Sequence, residues 1–348
     1  MNVDDRAVSG PRYQQAIDAG RWRCLVCPHA CVLADGQRGR CRVRQATGQG
    51  IRCVVDGRPS AVAIDPVEKK PFSHLHPGRD ILSVGTAGCN LSCRFCQNVH
   101  LSRAGDPPPE REFGGDAGSL ADLAVERGCV GVAMTYNDPT VCVEYAVAVA
   151  TACRDRGLIS AVVSAGYIHG TARSDLYGAV DAANIDLKAW NPAVYRHYCG
   201  VERDAVLDTL VHIARHTQVW LEVTTLVIPG LNDDPADLEA MAGWIVRHLG
   251  PDVPWHLSAY HPTPDFAEAP PTPVQTLVEA QAIAIQAGLR HVYTTATDAV
   301  TRCRSCGAEL IKRRGFRVVS NRLVDARCPA CAGPVPGIFA TGTAGASS

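Results

Sequence analysis

The run Gly85-Thr86-Ala87-Gly88-Cys89-Asn90-Leu91-Ser92-Cys93-Arg94-Phe95-Cys96-Gln97-Asn98 specifies chemistry more directly than any other part of the 348-residue chain. Cys89, Cys93 and Cys96 put three thiolates on one short loop, in a Cys-x3-Cys-x2-Cys spacing. Three ligands are one fewer than a structural zinc ion or a closed iron–sulfur cubane takes, so one coordination position stays open. An open position is what a metal centre needs in order to act on a bound molecule. The competing reading is a structural zinc completed by a distant ligand such as His100.

Eight further cysteines form two sets. Cys24, Cys27, Cys31 and Cys41 have spacing that closes a tetrahedral zinc site, and the same four thiolates suit an auxiliary iron–sulfur cluster. Cys303, Cys306, Cys328 and Cys331, with Gly307 after the first pair and 21 residues between the pairs, are arranged as a zinc ribbon. A rubredoxin-type iron is the alternative there. The remaining five of the 16 cysteines, Cys53, Cys129, Cys142, Cys153 and Cys199, read as small buried hydrophobes.

Composition agrees with metal binding. Sixteen cysteines in 348 residues are too few for a disulfide scaffold and more than packing requires. The first residues lack the basic and apolar regions of a signal peptide, and the apolar stretch 141–153 is too short to span a bilayer. A cytoplasmic location with reduced thiols is therefore expected, with no membrane partner. The net charge of −1 hides an asymmetry, because residues 21–58 and 301–327 each carry +6, leaving −13 on the rest. Two basic cysteine-rich modules flanking an acidic body suit an anionic partner, nucleic acid among them, or simply solubilise coreless modules.

Between the modules, short apolar runs alternate with helical patterns. Strands are predicted at 80–86, 131–135, 160–164, 183–188, 219–226, 255–259 and 291–294. Helices are predicted at 119–127, 140–156, 206–216, 235–249 and 273–287, with Pro/Gly breaks at 106–109 and 267–273. This alternation predicts parallel strands with crossover helices in a full or partial barrel, whose chemistry sits at the carboxyl ends of the strands. Period-two alternation sets Asn184, Asp186 and Lys188 on one face of a strand, Trp220, Glu222 and Thr224 on the next, and His256 and Ser258 beyond. Glu222 there needs either a buried partner or a substrate.

The Cys-x3-Cys-x2-Cys loop after the first strand, with an aromatic residue before the last cysteine, resembles the radical SAM superfamily. Asp65-Pro66-Val67-Glu68-Lys69-Lys70-Pro71 leading to His76-Pro77-Gly78 is similar to its pyruvate formate-lyase activating enzyme-like branch. Cys24-x2-Cys27-Pro28-His29-x-Cys31, Thr135-Tyr136-Asn137-Asp138-Pro139-Thr140 and the terminal ribbon are similar to the "AmmeMemoRadiSam system" radical SAM enzymes.

The resemblance implies an α/β fold, a partial (β/α)6 TIM-type barrel over 61–298. An N-terminal cysteine-rich module (1–60), a C-terminal zinc-ribbon-like module (299–338) and a disordered tail (339–348) complete the expected organisation. It implies that Cys89, Cys93 and Cys96 hold a [4Fe–4S] cluster. S-adenosylmethionine (SAM) would chelate the open iron and be cleaved to a 5′-deoxyadenosyl radical that abstracts hydrogen from a protein or small-molecule substrate. Implied SAM contacts are Phe95, Thr135, Tyr136, Asn137, Asp138, Ser164, Asp186, Lys188, Ile228, Gly230 and His261. Two departures stand out: Asp138 replaces a Glu of close relatives, and Ser164-Ala165-Gly166-Tyr167 replaces the branch's Asp-Thr-Asn-Gly. An electron donor such as flavodoxin or ferredoxin is implied, together with Memo-like and AMMECR-type proteins. The alternatives are activation of a glycyl-radical enzyme and a non-catalytic zinc-rich protein that binds nucleic acid or another partner.

Overall fold

The computed structural model describes residues 12–18, 20–105 and 115–339. Its centre is one sheet of eight strands: β1 (Ala61–Pro66), β2 (Asp80–Gly85), β3 (Gly131–Met134), β4 (Ile159–Ser164), β5 (Ala182–Asp186), β6 (Trp220–Val227), β7 (Trp255–Ala259) and β8 (Val292–Thr294). They lie side by side in chain order, parallel from β2 to β8, with β1 antiparallel on the β2 edge. All seven predicted strands are present. The sequence pattern does not disclose β1, because its apolar residues run straight into the charged Asp65-Pro66 motif. The expected break at 106–109 and the end of the tail, 340–348, lie outside the described residues.

Six helices cover the outer face: α1 (Ala117–Glu126), α2 (Val143–Arg154), α3 (Gly170–Ala179), α4 (Arg203–His216), α5 (Pro235–His248) and α6 (Val274–Gln286). Their starts follow from local chemistry. Asp234 accepts hydrogen bonds from the Ala236 and Asp237 amides and is followed by Pro235 at the first helical position. The buried residues of α5, namely Leu238, Met241, Ala242 and Ile245, recur at helical spacing and face the sheet. Outward-pointing strand residues such as Val132, Val162, Ile185 and Val223 join them in the main core.

The inner face is filled differently. Ala133, Ala161 and Ala182 leave room low in the barrel, and Val67, Phe72 and Leu75 pack with them there. The segment 67–76 is therefore a plug around which the sheet curves. Its backbone bonds to inward polar side chains: Asn184 donates to the Pro71 carbonyl at 2.7 Å, and Glu222 accepts from the Ser73 and His74 amides at 2.8 Å each. Glu222 also accepts from Trp220 Nε1 at 2.9 Å and meets His256 Nε2 at 2.6 Å. With four partners and no exposure, Glu222 belongs to the barrel's interior, as a buried pair.

The C-terminal module, a three-stranded antiparallel sheet (Ala299–Arg302, Glu309–Arg314, Arg317–Asn321), packs under this plug. Arg313, 1% exposed, donates to the Ser73 carbonyl at 2.5 Å and to Thr301 Oγ1 at 3.0 Å. The chain then returns to the barrel. Ile338 pairs with Leu75, its amide donating to the His74 carbonyl at 2.8 Å. Phe339 reaches the His74 ring. Of the expected tail, only Phe339 lies among the described residues; the stretch just before it is docked because it satisfies backbone groups of the plug that water cannot reach. At the other end, strands Gln14–Asp18, Arg21–Cys24 and Val32–Ala34 form a small sheet, and Arg44–Thr47 pairs with Gly50–Cys53. Buried Arg44 fastens this module to α2 through Glu144 at 2.8 Å.

Candidate active site

The loop after β2 carries Cys89, Cys93 and Cys96 over the carboxyl end of the sheet. Gly88 has φ +84°, and a Cβ there would sit 2.5 Å from the Cys41 carbonyl oxygen. Only glycine lets the loop pass that closely under the N-terminal module. Asn137 fixes the loop from the other side. Its Oδ1 accepts from the Thr86 amide at 3.0 Å, while its Nδ2 donates to Thr86 Oγ1 at 2.9 Å and to the Gly88 carbonyl at 2.7 Å. The Ser92 amide donates to the Cys199 carbonyl at 2.9 Å, and the Arg94 amide to the Tyr198 carbonyl.

The three cysteines line a cavity of about 420 Å³ together with Phe95, Thr135, Tyr136, Asn137, Asp138, Ser164, Asp186 and Lys188. These residues come from the ends of β2 to β5, so sequence-distant groups converge where a parallel barrel places its chemistry. Lys188 Nζ donates to Asp186 Oδ2 at 2.9 Å. Burial pulls the Lys188 ammonium down, but Asp186 and the sulfurs of Cys93 and Cys199 push it well above the ordinary range. Lys188 is thus a fixed positive charge on the wall. Burial pushes the Cys89 thiol up, with the nearby Asp138 and Cys93 adding to the effect.

Asp138 is already committed. Its Oδ1 accepts from the Thr140 amide at 2.9 Å and from Ser164 Oγ at 3.0 Å, and its Oδ2 from the Ala165 amide at 2.9 Å. The carboxylate joins the loops after β3 and β4, and Ser164 serves the same joint. Tyr136, at φ +72°, turns down into the barrel, where its hydroxyl meets Asp65 Oδ2 at 3.0 Å and Lys70 Nζ lies 4.4 Å from its ring centre. Asp65 in turn binds Lys69 at 2.7 Å and Lys70 at 2.9 Å.

Three of the expected SAM contacts do not line this cavity. Ile228 is buried, its amide donating to Asn232 Oδ1 at 2.6 Å. Gly230 is exposed at the following turn and His261 is exposed beyond β7. Conversely, Lys69, Lys70, Thr224 and Ser258 do line it. The alternation of the strands already aimed Thr224 and Ser258 inward. Cys199 is the residue that sequence reasoning missed: its carbonyl accepts from the Ser92 amide, which sets it beside Cys93 on the cysteine loop. Nothing in its spacing marks it, since it reaches the site through a turn of π-helix, Tyr195–Cys199.

Below the barrel, the ribbon cysteines converge. Their four sulfurs lie within 4.8 Å of one another, with Cys303 and Cys331 at 3.6 Å and Cys306 and Cys328 at 3.7 Å. A tetrahedron with metal–sulfur bonds of about 2.3 Å has edges of about 3.8 Å, so this set has the size of a single-ion site.

The model described as the Radical SAM superfamily matches residues 83–242. An uncharacterized protein of Methanocaldococcus jannaschii is 33% identical over 326 residues, covering 92% of this chain and 96% of its own. The (2S)-3-sulfopropanediol dehydratase activating enzyme of Klebsiella oxytoca is 27% identical over 126 residues, 36% of this chain and 39% of that enzyme. Among solved structures, a radical SAM methyltransferase from Sphaerobacter thermophilus aligns with a TM-score of 0.50 at 17% identity, covering 63% of this chain and 67% of that one. The chain belongs to the radical SAM superfamily, where it fits the pyruvate formate-lyase activating enzyme-like branch. It is therefore an enzyme of a family that uses a [4Fe–4S] cluster and SAM and takes electrons from a donor. Among the described residues, no helix is long and apolar enough to cross a membrane.

Proposed function

We propose that Cys89, Cys93 and Cys96 hold the [4Fe–4S] cluster and that SAM occupies the cavity above it. The observation that carries this is the convergence of three thiols and the Asp186–Lys188 pair on one cavity. When bound, the cluster supplies the electron that cleaves SAM to a 5′-deoxyadenosyl radical, which abstracts hydrogen from the substrate. Lys188 offers its ammonium to the SAM carboxylate, with Asp186 orienting it. Thr135 and Tyr136 present backbone groups toward the SAM amino group, while Asn137 and Asp138 hold that loop in place. Phe95 closes the apolar side.

The ribbon cysteines hold zinc, because their spacing suits one tetrahedral ion. The substrate is a protein residue or a small molecule, an electron donor such as flavodoxin or ferredoxin serves the cluster, and Memo-like and AMMECR-type proteins are candidate partners. Activation of a glycyl-radical enzyme is the second reading, favoured by the partial match to a dehydratase activating enzyme. Part of the positive charge of the basic modules is used internally. Arg44 and Arg313 are buried in internal pairs, and Arg304 is held by Asp252 at 2.8 Å.

The test is anaerobic reconstitution with iron and sulfide, followed by reduction in the presence of SAM. 5′-Deoxyadenosine should form, and Cys93→Ala should lose it along with cluster iron. Retention of both iron stoichiometry and cleavage by that variant would sink the reading.

A further inference from the structure

We infer that Cys24, Cys27, Cys31 and Cys41 bind a second [4Fe–4S] cluster and not a zinc ion. All four side chains line one cavity, shared with Val26, His29, Arg40, Arg44, Asn90 and Val141 among others. The ribbon provides an internal comparison. Among the described residues it is the one group of three or more candidate ligands whose donor atoms all lie within 4.8 Å. No three of the N-terminal sulfurs are that close, although the four surround a common space. A single ion cannot touch four sulfurs so spread without drawing them together. A cubane can, because each thiolate bonds a different iron and the core fills the space between them.

The cavity also touches the catalytic loop. Asn90, between Cys89 and Cys93, lines it, and His29 Nε2 hydrogen-bonds the Asn90 carbonyl at 2.8 Å. The inferred cluster is thus packed against the loop that carries the first.

The experiment leaves the first site out. Full-length protein with Cys89→Ala, Cys93→Ala and Cys96→Ala is reconstituted anaerobically with ferrous iron and sulfide, desalted, and analysed for iron, sulfide and zinc and by Mössbauer spectroscopy. The expected result is about four irons and four sulfides per chain with the spectrum of a cubane, plus about one zinc from the ribbon. Adding Cys24→Ser and Cys31→Ser should remove the iron and leave the zinc, with circular dichroism confirming that the barrel persists. Two zinc ions and no iron in the triple variant, or iron that survives the added serines, overturns the inference. Because this protein lacks the first cluster's ligands, the result is independent of whether the wild type cleaves SAM.

Discussion

Asn137 Nδ2 donates to the Gly88 carbonyl at 2.7 Å, so the loop after β3 holds the residue that precedes the first cysteine. The same side chain satisfies the Thr86 amide. Asn137→Ala leaves both of these buried groups without their partner, at about 1–3 kcal/mol for each. The expected outcome is a lower melting temperature and faster loss of iron from the reconstituted protein on desalting. Unchanged iron retention would show that the loop holds its shape without this bond.

Lys188 is the charge proposed to meet the SAM carboxylate. Lys188→Met keeps the length of the side chain and removes a charge-assisted hydrogen bond of about 1.5–3 kcal/mol. Binding of SAM to the cluster-loaded protein, measured by equilibrium dialysis, should weaken roughly 10- to 100-fold. Cluster iron should stay constant. If SAM affinity is unchanged, Lys188 serves only Asp186.

The polar centre of the barrel makes stability depend on pH. Burial raises the Glu222 carboxyl, but the His256 hydrogen bond and charge, with further help from His74 and the Ser73 amide, bring it down to about 2. An unfolded glutamate titrates near roughly 4.3, so this contribution is present above that pH and disappears as the pH falls toward 2. His74 is pulled down to about 3, chiefly by burial. It stays neutral in the fold while the unfolded chain takes up a proton below about 6.5, so stability also falls from there downward. Both groups act in one direction. Thermal melts should decline below about pH 6.5 through His74 and more steeply below about pH 4 as Glu222 joins; a profile flat from pH 7 to pH 4 would contradict the His74 assignment, and one with no added fall below pH 4 the Glu222 assignment. Glu222→Gln breaks the buried pair and should cost about 3–5 kcal/mol at pH 7.

Removing the metal proposed for the ribbon should be felt inside the barrel. Arg313 and the Pro336 carbonyl, which His74 Nδ1 meets at 2.6 Å, both reach the plug. After Cys328→Ser, or treatment with a strong zinc chelator, hydrogen exchange should rise at residues 72–76. It should stay unchanged in helix α5, which packs elsewhere on the sheet. Protection unaltered at 72–76 would mean that the ribbon is a mere appendage.

Much of this was legible in the sequence. The seven parallel strands were visible because each is a short apolar run between helical patterns, and the inward set Asn184, Asp186 and Lys188 followed from alternation alone. The three-thiolate loop stood out by its spacing, and its three cysteines do line one cavity. What escaped notice depends on contacts between distant segments. Glu222 was seen as an interior acid, but its partners come from the plug and from β7. Asp138 looked available for a ligand, and only the approach of Ser164 and Ala165 shows that it is taken. Cys199 resembled any buried cysteine, because no local pattern reports that a π-helical turn will bring it to Cys93.

The docking of Ile338 beneath His74 has a consequence for biosynthesis. The plug follows β1 early in the chain, yet the His74 carbonyl finds its partner at Ile338, 264 positions later. While the ribosome is still translating the barrel helices, the underside of the nascent sheet stays open to water and to other chains. Completion of the floor is thus a late, post-barrel event.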